Sequence, residues 1–372
     1  MAAVAHAGWR RLAWALSAGV WAVCEGVAAC PTDVEALRTE VCGVDAVRVV
    51  AVEESAALCA LYSARAFRPL WLDASGRPTS AAWRMRDALN RADRRGLNPS
   101  DYLVANGPEP ASASACEGAA ARSAFESALT RQALDYARDV HRGRIDPRRL
   151  DVGIDPSGKH LDLPMLAESL AVAPDQERVL DALEPPFGGF RRLRGALATL
   201  LAQPAQSDVT VPAPVARVLE PGGDDAAVPA LRARLRQLGD LDAADAMVDA
   251  GAAQRYDPAL AAALQRFQAR HGLMADGRLG AKTLAALNVP LAQRLAQIRF
   301  AMERWRWVPS GFPEPPIVVN IPEFQLRAVG DDGRLALQMP VVVGRAFRTR
   351  TPVFAEQLRS VVFRPSWIVP LS

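Results

Sequence analysis

The chain has almost no lysine: of its 44 basic side chains only Lys159 and Lys282 are lysines, and the rest are arginines. Histidine is equally sparse, with His6, His141, His160 and His271 alone, and aromatic residues make up 6%. The formal charge of +3 is the small remainder of 44 basic and 41 acidic groups. The basic excess that a phosphate backbone demands is therefore missing, and nucleic acid is set aside as a partner. No two of the five cysteines have metal-ligand spacing, so neither a metal nor another cofactor is expected. No apolar run spans a bilayer comfortably. From Pro316 onward there is neither cysteine nor histidine.

What is there begins with an export pattern. Arg10 and Arg11 precede "LAWALSAGVWAVC" (Leu12 to Cys24), and Val27 and Ala29 supply small residues before a cleavage point. Residues 1–29 therefore read as a signal peptide, and Glu25 argues against a retained anchor. "VAAC" also resembles a lipoprotein processing site that would modify Cys30. Simple cleavage leaves Cys30, Cys42, Cys59 and Cys116, an even set that an oxidising compartment can close into two bridges. Cys30 with Cys42 and Cys59 with Cys116 is the simplest of the three connectivities. Lipidation of Cys30 leaves an odd number.

With 372 residues and 50% hydrophobic composition, two or three domains are expected. From Thr32 to about Leu201 apolar residues recur at three- and four-residue spacing, as in "AAWRMRDALNRADRRGLNPSDYL" and "FESALTRQALDYARDVHRGRIDPRRL". These segments read as a helical bundle, with Tyr62, Phe67, Trp71, Trp83 and Tyr102 as core. Prolines and glycines between Gln203 and Pro229 mark a boundary containing one short strand, "DVTVPA". Two helices follow, with Leu231, Leu235 and Leu238 on one face and Leu260, Leu264 and Phe267 on another. Gly272 stops the second, "ADG" turns the chain, and Gly280 starts a third with Leu284 and Leu287. From Pro316 the period changes to two. "IVVNI", "EFQLRAV", "LALQMPVVVG" and "LRSVVFRPSW" read as strands, "GDDGR" as a hairpin, and Pro340 as an edge or bulge position.

The unit from Val228 to Asn288, with "ALQRFQARHGLMADGRLGAKTLAALN", resembles the three-helix peptidoglycan-binding domain of bacterial wall enzymes. "VNIPEFQLRA", "VVVGR", "RTPVF" and "FRPSWIVP" are similar to the opening of an L,D-transpeptidase catalytic domain. "LYSARAFRPLW" and "RRGLNPSDYL" resemble the helical scaffold of that family's large periplasmic branch. The resemblance implies a multidomain α+β protein: residues 1–29 signal peptide, 30–205 helical scaffold, 206–290 linker and peptidoglycan-binding domain, and 291–372 an incomplete β-rich catalytic domain. It implies peptidoglycan as the partner and a periplasmic or envelope location; the oligomeric state is left open.

The family chemistry requires a cysteine thiolate within a Ser-x-Gly-Cys run and a histidine base, which together attack a tetrapeptide stem and expel D-alanine. That constellation is absent after Pro316, so no catalytic residue is assigned and the 372 residues are expected to be inactive alone. A non-catalytic peptidoglycan-binding protein is the alternative. Trp367 is the candidate for a substrate-cleft wall, with a core aromatic as the plain reading. Arg345, Arg348 and Arg350 read as solvated charge, with acidic stem peptides as the functional alternative. The apolar ending "SVVFRPSWIVPLS" reads as interior sheet.

Overall fold

The computed structural model describes residues 33–43, 52–105, 115–150, 154, 158–203, 208–242, 253–309, 317–330, 334–345, 349–353 and 356–364. Its helices are α1 (Asp33–Cys42), α2 (Val52–Ala64), α3 (Ser80–Asn90), α4 (Ala115–Arg142), α5 (Leu163–Val172), α6 (Gln176–Leu183) and α7 (Gly188–Leu201). After them come α8 (Val228–Gln237), α9 (Pro258–Arg270), α10 (Ala281–Leu287) and α11 (Leu291–Trp307). Three strands follow, β1 (Ile317–Asn320), β2 (Gln325–Val329) and β3 (Leu335–Pro340). This is the mainly helical chain with a C-terminal β segment that the periodicity predicts. Among the described residues no helix is long and apolar enough to cross a membrane.

The chain divides into two compact units, the first comprising residues up to 92, 98–139 and 160–183. Its helices start where the sequence supplies caps. Thr79 accepts the Ala82 N–H at the head of α3, and Asp162 accepts the Met165 N–H at the head of α5, where proline occupies the first turn. On α4, Phe125, Leu129, Ala133, Tyr136 and Ala137 form a buried stripe. Within that stripe sits a carboxylate, Glu126, fully buried. It accepts the Tyr62 hydroxyl at 2.8 Å, the Leu70 N–H at 2.5 Å and the Trp71 N–H at 3.0 Å. Burial raises its pKa, against the lowering effect of these donors. Trp71 Nε1 and the Tyr62 hydroxyl both meet Thr130 Oγ1, so one polar knot ties α2 and the loop after it onto α4.

Tyr62, Trp71 and Tyr102 are core residues as expected, and Phe67 is half-buried. Trp83 is not core. It is 45% exposed and lies under the Arg86 guanidinium at 4.7 Å. On α3 the inward face is taken by Ala81, Ala82, Met85, Ala88 and Leu89, which leaves position 83 pointing outward. The cysteine pairing is also corrected: Cys42 at the end of α1 is bonded to Cys59 on α2, with an S–S distance of 2.10 Å. The two helices pack against each other, which brings these sulfurs together and excludes both expected pairings. Cys30 lies outside the described residues, and so does the side chain of Cys116.

The second unit contains residues 93–97, 140–159 and 184 onward. Helices α7 and α11 pack through Phe190, Leu197 and Met302, flanked by Leu193, Leu295, Ile298 and Trp305. The expected domain boundary at 291 thus falls at the head of a helix packed on Gly188–Leu201. The buried Lys159 caps two helix ends at once, donating to His141 O of α4 at 2.5 Å and to Arg306 O of α11 at 2.7 Å. Beside it, Glu303 accepts the Arg144 and Ile145 N–H groups at 2.7 and 2.9 Å. Gly143, at φ +83°, turns the chain there, and a Cβ at that position would lie 2.5 Å from Glu303 Oε1.

The strands form one antiparallel sheet in the order β1-β2-β3. Val319 pairs with Leu326, and Leu326 with Met339. The hairpin closes with the Gly330 N–H on Arg334 O at 2.9 Å, and a bulge falls between Ala328 and Val329. Pro340 ends β3, an edge strand, which suits a residue with no N–H to donate. Two strand assignments fail. Residues 358–364 of "LRSVVFRPSW" form no strand, and Val361, Val362 and Phe363 are exposed rather than interior. Residues 208–213 of "DVTVPA" are also irregular. Strand propensity acts only where an edge offers partners, and neither segment joins the sheet. Phe324, within the predicted strand "EFQLRAV", instead adopts φ +57° after a short 3-10 turn and is exposed.

Candidate functional site

The best-organised candidate is the three-helix unit. Its core holds Leu231 and Leu235 of α8, Leu260, Leu264 and Phe267 of α9, and Leu287 of α10, with Leu238, Leu273 and Leu284 packed at the edge. Gly272 is left-handed at φ +67° and ends α9, and Gly280 is the N-cap of α10, as predicted from the sequence.

The preceding proline-rich stretch is more than a boundary. Val211 and Leu219 are part of this core. Val211 exchanges two hydrogen bonds with the Asn288 side chain, both at 2.9 Å, and Leu219 bridges Leu279 through the main chain. Buried Arg234 completes the fastening: its guanidinium donates to Leu287 O, Val289 O and Asp208 Oδ1 at 2.9, 2.6 and 2.8 Å. Proline content reports an irregular backbone and says nothing about burial.

The loop between α9 and α10 is held from beneath by two buried side chains, Gln268 and Tyr256. Gln268, buried on α9, accepts the Gly277 N–H at 2.8 Å. Its amide donates to Asp276 Oδ1, Arg278 O and Thr283 Oγ1 at 3.0, 3.1 and 3.2 Å. The buried Tyr256 hydroxyl donates to Gly277 O at 2.6 Å. Gly277 sits at φ +70°, which a side chain would strain. Asp276 also accepts the Arg278 N–H at 2.9 Å, and this bond holds its pKa below the usual carboxylate range. The "ADG" turn chemistry expected from the sequence is thus present, but its anchor, Gln268, was not singled out. The available signal was an amide residue directly after core Phe267 on an otherwise apolar face.

His271 caps the C-terminus of α9 and packs on Phe267 with ring centroids 4.2 Å apart. Its pKa is pushed down to about 4, first by burial and then by the Arg270 and Arg294 guanidinium groups, with Asp240 opposing. Asp240 binds Arg270 through both carboxylate oxygens, at 2.8 and 2.6 Å. Such a unit offers a stiff polar surface over a small core. It suits binding.

Of the residues named from sequence, Trp367 and Arg348 lie outside the described residues, while Arg345 and Arg350 are exposed. The sulfurs of Cys42 and Cys59 are consumed by their mutual bond. Among the described residues no three His, Cys, Asp or Glu side chains gather as metal ligands would.

Comparison with protein families gives three matches: a scaffold domain over residues 56–197, a peptidoglycan binding domain over 224–287, and an L,D-transpeptidase catalytic domain over 315–372. In that order they match a multidomain L,D-transpeptidase family. A search of curated proteins finds no match. The peptidoglycan-binding match falls on α8 to α10 and takes in the Gln268-anchored loop, and the catalytic match covers the β1-β2-β3 sheet. The scaffold match includes the Glu126 knot. The family supports a peptidoglycan-associated role.

Proposed function

We propose that the chain is exported to the periplasm or cell envelope, holds peptidoglycan through the unit built on α8, α9 and α10, and belongs to the acyl-transfer chemistry of tetrapeptide stems. These 372 residues do not perform that chemistry by themselves. The observation that carries this reading is the presence of a peptidoglycan-binding match beside a catalytic match whose residues, 315–372, contain no cysteine and no histidine. A thioester route needs a thiolate and a partner that keeps the thiol deprotonated. The export pattern at Arg10 to Ala29 supports the location, as does a disulfide between Cys42 and Cys59.

Purified chain incubated with tetrapeptide-stem muropeptides is expected to leave them unchanged. A new cross-link or released D-alanine overturns the inactive reading. The same missing side chains favour a second reading, a purely wall-binding protein. Sequencing the gene past the codon for Ser372 separates the two, since a Ser-x-Gly-Cys run with a preceding histidine belongs only to the first.

A further inference from the structure

Cys42 and Cys59 bond to each other, so removal of residues 1–29 leaves Cys30 and Cys116 as the remaining pair of cysteines. Asp33, the first described residue, follows Cys30 by three positions. Its carboxylate accepts Nε and Nη2 of Arg122 on α4, at 3.1 and 2.5 Å. The Arg122 side chain runs back along that helix, since a Cβ at Gly118 would lie 3.0 Å from its Nη1. The head of α1 is therefore held beside Gly118, two residues from Cys116. Further along, Ser127 of α4 donates to Glu40 Oε1 of α1 at 3.1 Å. Asp33 with Arg122 and Glu40 with Ser127 make α1 and α4 run in the same direction. The N-terminal end of α1 thus lies toward the N-terminal end of α4, whose first turn includes Cys116. Buried Leu37 and Val41 keep α1 in this register.

We propose that Cys30 and Cys116 form a second disulfide, which staples the start of the exported chain to the head of α4. The reach is sufficient. Three residues span up to about 10 Å, and two residues of helix rise about 3 Å, against a Cα separation of about 5.5 Å across a disulfide. The bond forms by exchange with an oxidised dithiol protein of the oxidising compartment. One thiolate of this chain attacks that disulfide, and the other attacks the resulting mixed disulfide and releases the partner's thiolate. Two thiols of this chain are oxidised, and one partner disulfide is reduced to two thiols. A Cys30 sulfur used in this way carries no lipid, so the same bond decides against anchoring through Cys30. In needing an oxidising compartment, the inference rests on the export reading.

The test is peptide mapping, without reduction, of the 372-residue chain expressed with its own leader and alkylated before the cells are lysed. Trypsin cutting after Arg38, Arg48, Arg65, Arg95 and Arg122 places Cys30, Cys42, Cys59 and Cys116 in separate peptides. The peptide ending at Arg38 is expected to be joined to Gly96–Arg122, with neither cysteine alkylated. Cys116→Ser is expected to turn Cys30 from unreactive to fully alkylated while Thr39–Arg48 stays joined to Val49–Arg65. Because the unsubstituted chain is mapped directly, a misfolded Cys116→Ser chain does not shield the proposal. Alkylated Cys30 and Cys116 beside an intact Cys42–Cys59 pair overturns the inference and leaves the export reading standing, as does a lipid on Cys30. Alkylation of all four cysteines overturns both.

Discussion

Gln268 and Gly277 are joined by a hydrogen bond of 2.8 Å from the Gly277 N–H to Gln268 Oε1, which ties the interior of α9 to a left-handed turn. The same amide serves Asp276, Arg278 and Thr283, so its removal takes the partner from the buried Gly277 N–H and from the buried Thr283 hydroxyl. Gln268→Ala is expected to destabilise the unit by about 1–3 kcal/mol, the cost of unsatisfied buried groups. Gln268→Glu keeps the acceptor, loses the donors and places a second carboxylate beside Asp276, so its cost should shrink in acid. Denaturant unfolding at pH 7 and pH 4 measures both; a neutral Gln268→Ala refutes the anchoring role.

His271 should make the fold sensitive to acid. Its folded pKa of about 4 lies below the ordinary value of 6.5, so between these pH values the unfolded chain binds more protons. Stability from this group is complete above pH 6.5 and is lost as pH falls toward 4. His271→Gln is expected to flatten that part of the stability profile. Parallel profiles for the two proteins across this window would show that His271 is not held neutral.

Lys159 acts at the other end of the scale. Burial, with Arg306 adding repulsion, lowers its pKa from 10.5 to about 8. The unfolded chain again binds more protons, now between pH 8 and 10.5, so stability from this group rises with pH across that window. Lys159→Met keeps the aliphatic stem, removes the rise and deprives His141 O and Arg306 O of their shared donor. Thermal melts at pH 7, 8 and 9.5 should show the gap between the two proteins widening upward. A constant gap contradicts the depressed pKa.

The Cys42–Cys59 bond closes a loop with a sequence separation of 17. Loop-closure entropy for a ring of this size corresponds to about 3 kcal/mol, so Cys42→Ser should lower the melting temperature by several degrees. Non-reducing peptide mapping should recover a Cys42–Cys59 cross-linked peptide. A Cys30–Cys42 peptide would restore the pairing that sequence order suggests.

The helical faces of the three-helix unit, the stop at Gly272 and the start at Gly280 were legible because a 3.6-residue period, a left-handed glycine and a helix cap are local signals. So was the hairpin at Gly330. Burial that depends on distant partners was not legible. Trp83 satisfies a helical apolar pattern yet faces out, because Met85 and Leu89 already define the inward face of α3. Val211 and Leu219 hide in a proline-rich stretch because their burial is created by Asn288 and Leu279, far along the chain. Residues 358–364 have strand composition and no strand beside them. Within the candidate site the turn was readable and its anchor was not, since the worth of Gln268 comes from four groups that only the fold brings together.

Wall binding is assigned here to the unit reaching from Asp208 to Pro290. It is tested most directly by sedimenting the 372-residue chain with purified insoluble peptidoglycan, beside a chain from which residues 208–290 are deleted. The full chain is expected to pellet with the peptidoglycan and the deleted chain to stay in solution. Pelleting of both chains equally, or of neither, would contradict it.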